Sequence, residues 1–188
     1  MKKKKTKAHQ FKKNISIFLI LLLFLAVWTL LVNNYGAQGL VELLGPANSY
    51  LVLALIALSG GLSAVTAPGF IAALATFAAG GMNPFLMGLT AGAALFLGDS
   101  LLYYFGFKGR KALFPYFEKY LKIISDFVEK KPLWLIRILV YLYFSFAPLP
   151  NDIVAIPLGL AGFKYRKFAL PALLGNITFV TWVGLLFM

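Results

Sequence analysis

Long apolar runs broken by short clusters of proline, glycine and asparagine set the pattern of this chain. Residues 15–32 form one apolar run, long enough to cross a bilayer as a helix. A second run, 50–67, is interrupted at "APG" (67–69), resumes over 70–79 and stops at "GGMNP" (80–84). At about 1.5 Å per residue the limb from 70 to 79 reaches only ~15 Å, about half of the hydrocarbon core, so it cannot span. The run from 84 to 106 can. Downstream the order repeats: an apolar limb over 133–147, a break from Pro148 to Asp152, a short limb over 153–163, the basic turn "KYRK" (164–167), and a full-length run over 168–188.

Charge gives these runs a direction. Of the 18 Lys and Arg residues, seven lie in "MKKKKTKAHQFKK", seven in 108–131 and three in "KYRK", whereas 33–49 ("NNYGAQGLVELLGPANS") has none. By the positive-inside rule the three basic segments face the cytoplasm and 33–49 faces outward. No small-x-small cleavage site follows the first run, which reads as an uncleaved signal anchor with a cytoplasmic N-terminus. The first broken run must then enter and leave from outside, and the second must enter and leave from the cytoplasm.

The fold expected is therefore an all-α polytopic membrane protein, built as an inverted repeat of re-entrant hairpin plus transmembrane helix. Its parts are a basic tail (1–13), an N-terminal transmembrane helix (14–32) and a membrane domain (50–188), divided into a first repeat (50–107), an amphipathic connector (108–132) and a second repeat (133–188). A faint internal echo supports the repeat. Ala79-Gly80 is followed by Phe85 and Gly92, and Ala161-Gly162 by Phe168 and Gly175, with Phe and Gly seven residues apart each time. In the connector, Leu113, Phe117, Leu121, Ile124 and Val128 fall at helical spacing, which suits a helix on the cytoplasmic leaflet or one packed on the bundle.

Composition narrows the class. The chain is 61% hydrophobic with a mean hydropathy of +0.83, well above a soluble domain. The net charge of +12 follows from topology, so nucleic acid is not an expected partner. Cysteine is absent and His9 is the single histidine, which excludes a Cys/His metal site, a thiol nucleophile and a Ser-His-Asp triad within the chain. No cofactor and no metal is expected.

The chemistry left is that of a few polar groups at membrane depth. Asp99, inside the run from 84 to 106, is either functional or a helix-to-helix hydrogen bond, since an unpaired carboxylate there costs several kcal/mol. Asn151 and Asp152 sit on the tip of the second hairpin. Arg137 can snorkel to the interface, pair with Asp99 or Asp152, or meet a phosphate. Pro68, Gly69, Pro148 and Pro150 shape the two breaks, whose freed backbone amides can bind an anionic headgroup. Gly88, Ala91, Gly92 and Gly98 read as close-packing positions, and Tyr103 and Tyr104 as interfacial anchors. Irregular backbone at this depth needs surrounding protein or a water-filled cavity, an arrangement common in secondary transporters.

Two stretches carry a resemblance: "APGFIAALATFAAGGMNPFLMGLTAGAALFLGDSLLYYFGFKGRK" (67–111) and "APLPNDIVAIPLGLAGFKYRKFALPALLGNITFVTWVG" (147–184). With their Pro-Gly hairpin, Gly-Asp followed by Tyr-x-x-Gly, proline-rich second hairpin and basic turn, they resemble the DedA family, the SNARE-associated Golgi protein-like or VTT-domain membrane proteins. The likeness covers about residues 50–188. The chain departs from many bacterial members in having Phe70 where an acid follows the first Pro-Gly, and Ser145 and Asn151-Asp152 where arginines flank the second proline. Of the family's charged set, Asp99 is carried over directly, with Asp152 and Arg137 as local substitutes.

The resemblance implies lipid transport, by a flippase or scramblase moving a phospholipid or a polyprenyl-phosphate carrier across the plasma membrane. The expected partners are membrane lipid, with protons and a second copy of the chain as further candidates. A solute or ion secondary transporter on the same scaffold is the main alternative. The two aspartates also resemble those of intramembrane aspartyl proteases, but Phe96-Leu97-Gly98-Asp99 lacks their Gly-x-Gly-Asp pattern, and no enzyme activity is expected.

Overall fold

The computed structural model describes residues 2–61, 66–147 and 149–188, with side chains among them except at 2–18, 20, 21, 111–121, 125 and 129. Pro148, the basic tail's side chains and those of Leu113, Phe117 and Leu121 lie outside the described residues. The elements are α1 (Lys2–Leu44), α2 (Pro46–Gly60), α3 (Ala67–Ala79), α4 (Pro84–Met87), a π-helical turn (Gly88–Gly92), α5 (Ala93–Lys130), α6 (Leu133–Phe146), α7 (Asp152–Ala161) and α8 (Tyr165–Leu186). The protein is all-helical, with no strand among the described residues.

Two helical stretches are long and apolar enough to cross a membrane, Pro84–Arg110 and Tyr165–Leu186. A third candidate is broken: Leu22–Leu44 and Pro46–Gly60, bent by 109°. Gly45 sits at that bend with φ 78°, and Gly36 kinks α1 with φ 70°. Both angles are ones that glycine adopts without a Cβ penalty. The expected outward loop over 33–49 is thus largely helical, because a glycine turns the chain within one residue where a loop was expected.

The two spans run antiparallel. Pro84 lies against Gly184, Gly92 against Ile177, and the Tyr103 ring stacks on Phe168 with centroids 5.1 Å apart. As the spacing predicts, small residues mediate this contact: Gly88, Ala91 and Gly92 are all buried, and Gly92 meets the backbone of Asn176 and Ile177. Gly98 packs on Gly61, so the end of α2 touches the middle of α5 backbone to backbone.

The shorter apolar helices α3, α6 and α7, of 13, 14 and 10 residues, pack among the longer ones. The Asn83 N–H donates to the Tyr50 hydroxyl at 3.0 Å, which ties the start of α2 to the turn after α3. α6 begins at Leu133, and α7 ends at Ala161, with the capping Gly162 against the Arg110 guanidinium. The α7 return is packed tightly on α5: Gly106 meets the Ile156 carbonyl and Gly159 the Tyr103 carbonyl, at separations no Cβ would tolerate.

Three expectations are corrected. Residues 67–69, expected as the first break, are helical, with Pro68 and Gly69 in the first turn of α3. Proline suits that turn because its missing N–H is one that has no partner within the helix. The connector over 108–132 is not a separate helix, since α5 continues through it to Lys130. Gly106 lies within the helix, packed closely on Ile156 of α7. Tyr103 is 2% exposed rather than interfacial, because the α7–α8 turn covers it and its hydroxyl donates to the Phe163 carbonyl.

The core divides in two. One apolar cluster, with Leu53, Phe70, Phe77, Met87 and Val180, fills the Pro84 end. The other, with Ile136, Val140, Phe144, Phe168 and Tyr103, fills the Arg110 end. Leucines and phenylalanines on the outer faces, such as Leu89, Leu97, Phe105 and Leu170, are exposed, as suits helices surrounded by lipid.

Candidate functional site

Between the two apolar clusters lies a polar group made from three elements. Asp99 stands near the middle of Pro84–Arg110, and Asn176 near the middle of Tyr165–Leu186. Asn151 comes from the break between α6 and α7. Asp99 and Asn176 are both 0% exposed. Asn176 Nδ2 donates to Asp99 Oδ2 at 2.6 Å, Asn151 Nδ2 donates to the same oxygen at 2.9 Å, and Asn151 Nδ2 also donates to Asn176 Oδ1 at 3.2 Å. Asn151 precedes α7 and makes no side-chain cap there; its Nδ2 instead faces Asp99 and Asn176.

The energetics are unbalanced in a useful way. A carboxylate taken into a low-dielectric interior loses several kcal/mol of hydration. Hydrogen bonds to a charged acceptor return about 1.5–3 kcal/mol each. Both amides serve Oδ2, while Asp99 Oδ1 is buried with no partner. Asp152 Oδ1 and Ser145 Oγ are in the same condition. Among the described residues no cation pairs with either aspartate, the one ion pair being Lys130–Asp126 on α5.

The backbone around the second break is well provided for. The Tyr143 hydroxyl donates to the Pro150 carbonyl at 2.9 Å, and Trp182 Nε1–H donates to the Ser145 carbonyl at 2.6 Å. Such bonds satisfy carbonyls freed where the chain leaves the helix.

Both breaks face one cavity of about 490 Å³. Gly60, Gly61, Ala67 and Pro68 line it from the first, and Ala147, Leu149, Pro150, Asn151 and Asp152 from the second. The rest of its wall comes from Phe70 and Ile71 of α3, from Leu95 and Phe144, and from the C-terminal end of α8 with Phe187. Asn151, Asp152 and the Trp182 indole are the polar side chains on it among the described residues; the remainder is apolar.

No family model, no curated protein and no solved structure matches the chain. The site is therefore read from its own geometry.

Asp99, Asn151 and Asp152, singled out in the sequence, come together here with Pro68 and Pro150. Gly69 is buried in α3, and Pro148 lies outside the described residues. Arg137 is exposed on α6 and makes no ion pair with Asp99 or Asp152, which removes pairing from its candidate roles. The two carboxyls are not hydrogen-bonded to each other, since Asp99 Oδ2 holds the amides and both Oδ1 atoms are partnerless. Sequence reasoning missed Asn176. Its signal was a lone amide in the apolar run "ALLGNITFV", one residue after Gly175.

Proposed function

We propose that the protein is a membrane lipid transporter, a flippase or scramblase that resembles the DedA family, moving a phospholipid or polyprenyl-phosphate headgroup between two opposed re-entrant hairpins. The observation that carries the reading is the shared cavity: α2–α3 starts and ends at the Pro84 end of the spans, α6–α7 starts and ends at the Arg110 end, and both breaks line the same space. The two hairpin-plus-span units, α2–α3–α5 and α6–α7–α8, are then an inverted repeat. The positive-inside rule sets the N-terminus and the Arg110 end in the cytoplasm, with the plasma membrane as the location.

A mainly apolar cavity with a few polar groups suits a lipid whose headgroup passes through while its tails stay in hydrocarbon. The headgroup meets Asn151, Asp152 and the breaks beside Pro68 and Pro150. Asp99 and Asp152 gate it by gaining or losing a proton or a partner, since each keeps a buried oxygen free. The same free oxygens favour one second reading, a solute or ion transporter on this scaffold.

The test is reconstitution into vesicles carrying fluorescent lipids with a panel of headgroups, wild type beside Asp99→Asn. Lipid flipping by wild type that falls at least about tenfold in the variant supports the reading. Equal rates remove the assigned role of Asp99. Solute uptake without lipid movement favours the second reading.

A further inference from the structure

We propose that the molecule holds a second site, at the opposite end of α8 from the first, that binds the phosphate headgroup of an anionic lipid. A cavity of about 300 Å³ lies between the end of α5, the start of α6 and the α7–α8 turn. Val128, Leu133, Ile136 and Phe163 supply apolar walls, and Lys131, Lys164 and Lys167 supply its charged side chains. No acidic side chain lines it among the described residues, and the Lys130–Asp126 pair uses a different lysine. Three lysines thus line one cavity with no acidic side chain among the described residues on its wall.

The turn that carries Lys164 and leads to Lys167 in the first turn of α8 is held by several contacts. Gly162 adopts φ 77°, the Phe163 N–H donates to the Leu158 carbonyl at 3.0 Å, and the Phe163 carbonyl accepts from the buried Tyr103 hydroxyl. Arg110 packs against Gly162 and adds a fourth cation beside the turn. Both α6 and α8 begin at this cavity, so the positive ends of two helix dipoles lie beside it.

Position and shape select a lipid over a free anion. Arg110 closes one candidate span and Tyr165 opens the other, so the cavity lies where the apolar part of the molecule gives way to water. Nearby Trp134 and Phe127 are exposed, 63% and 44%, as aromatic residues are at a bilayer interface. A phosphate held by the lysines would leave glycerol and the first methylenes against Val128, Leu133 and Ile136. Basic pockets between helices at this level take lipid headgroups. The site shares no lining residue with the first cavity and stands whether or not lipid is translocated there.

Native mass spectrometry of the purified full chain in detergent, titrated with phosphatidylglycerol or phosphatidylcholine, tests this. The triple variant Lys131→Gln/Lys164→Gln/Lys167→Gln should bind phosphatidylglycerol about a hundredfold more weakly than wild type, at about fivefold per lysine. Its retention of phosphatidylcholine should not change. A control with the same charge loss elsewhere, Lys108→Gln/Lys122→Gln/Arg166→Gln, should bind nearly as wild type, and replacing the three site lysines by arginine should preserve binding. Equal weakening in the site and control triples overturns the proposal in favour of diffuse charge. Loss of binding in the arginine triple, or displacement of the lipid by an equal concentration of inorganic phosphate, overturns it as well.

Discussion

At the scale of single residues, the decisive group is Asp99, because a buried carboxylate without a cation must be held by neutral donors. Asn176 is the nearer of its two, at 2.6 Å against 2.9 Å for Asn151. Asn176→Leu should therefore lower stability by about 1.5–3 kcal/mol, the worth of a hydrogen bond to a charged acceptor, read as an earlier unfolding midpoint of the full chain in detergent. An unchanged midpoint would mean that Asp99 gains nothing from that amide. Asp99, Asn151 and Asp152 were legible in the sequence because charge and amide are conspicuous among apolar neighbours. Which of them would meet was not, since the partners of Asp99 are 52 and 77 positions away. Arg137 illustrates the same limit: a helix face chosen by packing turns it outward, and no local pattern separated that from pairing.

At the scale of elements, length was the strongest guide. A limb of about ten apolar residues is too short to span, and α3 and α7 are short apolar helices of 13 and 10 residues. Prolines located the breaks less well, because Pro68 starts a helix as readily as it ends one. Close packing was anticipated at Gly88, Gly92 and Gly98, but the close backbone pairing of α5 with α7 at Gly106 and Gly159 emerges only when α7 is placed. Gly106→Ala should destabilise by about 1–3 kcal/mol, because its new methyl group must push back the Ile156 carbonyl. Gly39→Ala, whose Cβ would meet nothing nearer than Tyr35 Cβ at 3.6 Å, should instead be neutral or gain up to ~1 kcal/mol from helix propensity. Thermal unfolding of the two variants side by side checks the contrast; equal behaviour would mean that the α5–α7 contact is looser than described.

For the whole molecule, the proposed re-entrant hairpins make a prediction that the absence of cysteine renders simple to test. Single cysteines at Asn48 and Asn83 should react with an impermeant maleimide from one side of a sealed vesicle, and those at Lys131 and Lys164 from the other. Opposite-side labelling of the two ends of either hairpin would show a complete crossing and end the re-entrant reading. The sequence by itself determined the helical class, the apolar runs, the half-length limbs and the clustering of basic charge, because each depends on local composition and on rise per residue. Only the tertiary structure decided that α5 continues beyond the span, that two breaks from distant segments line one cavity, and that Asn176 completes the triad. Those outcomes depend on long-range packing of glycine-rich faces, a balance of backbone approach and desolvation that no short window of residues contains.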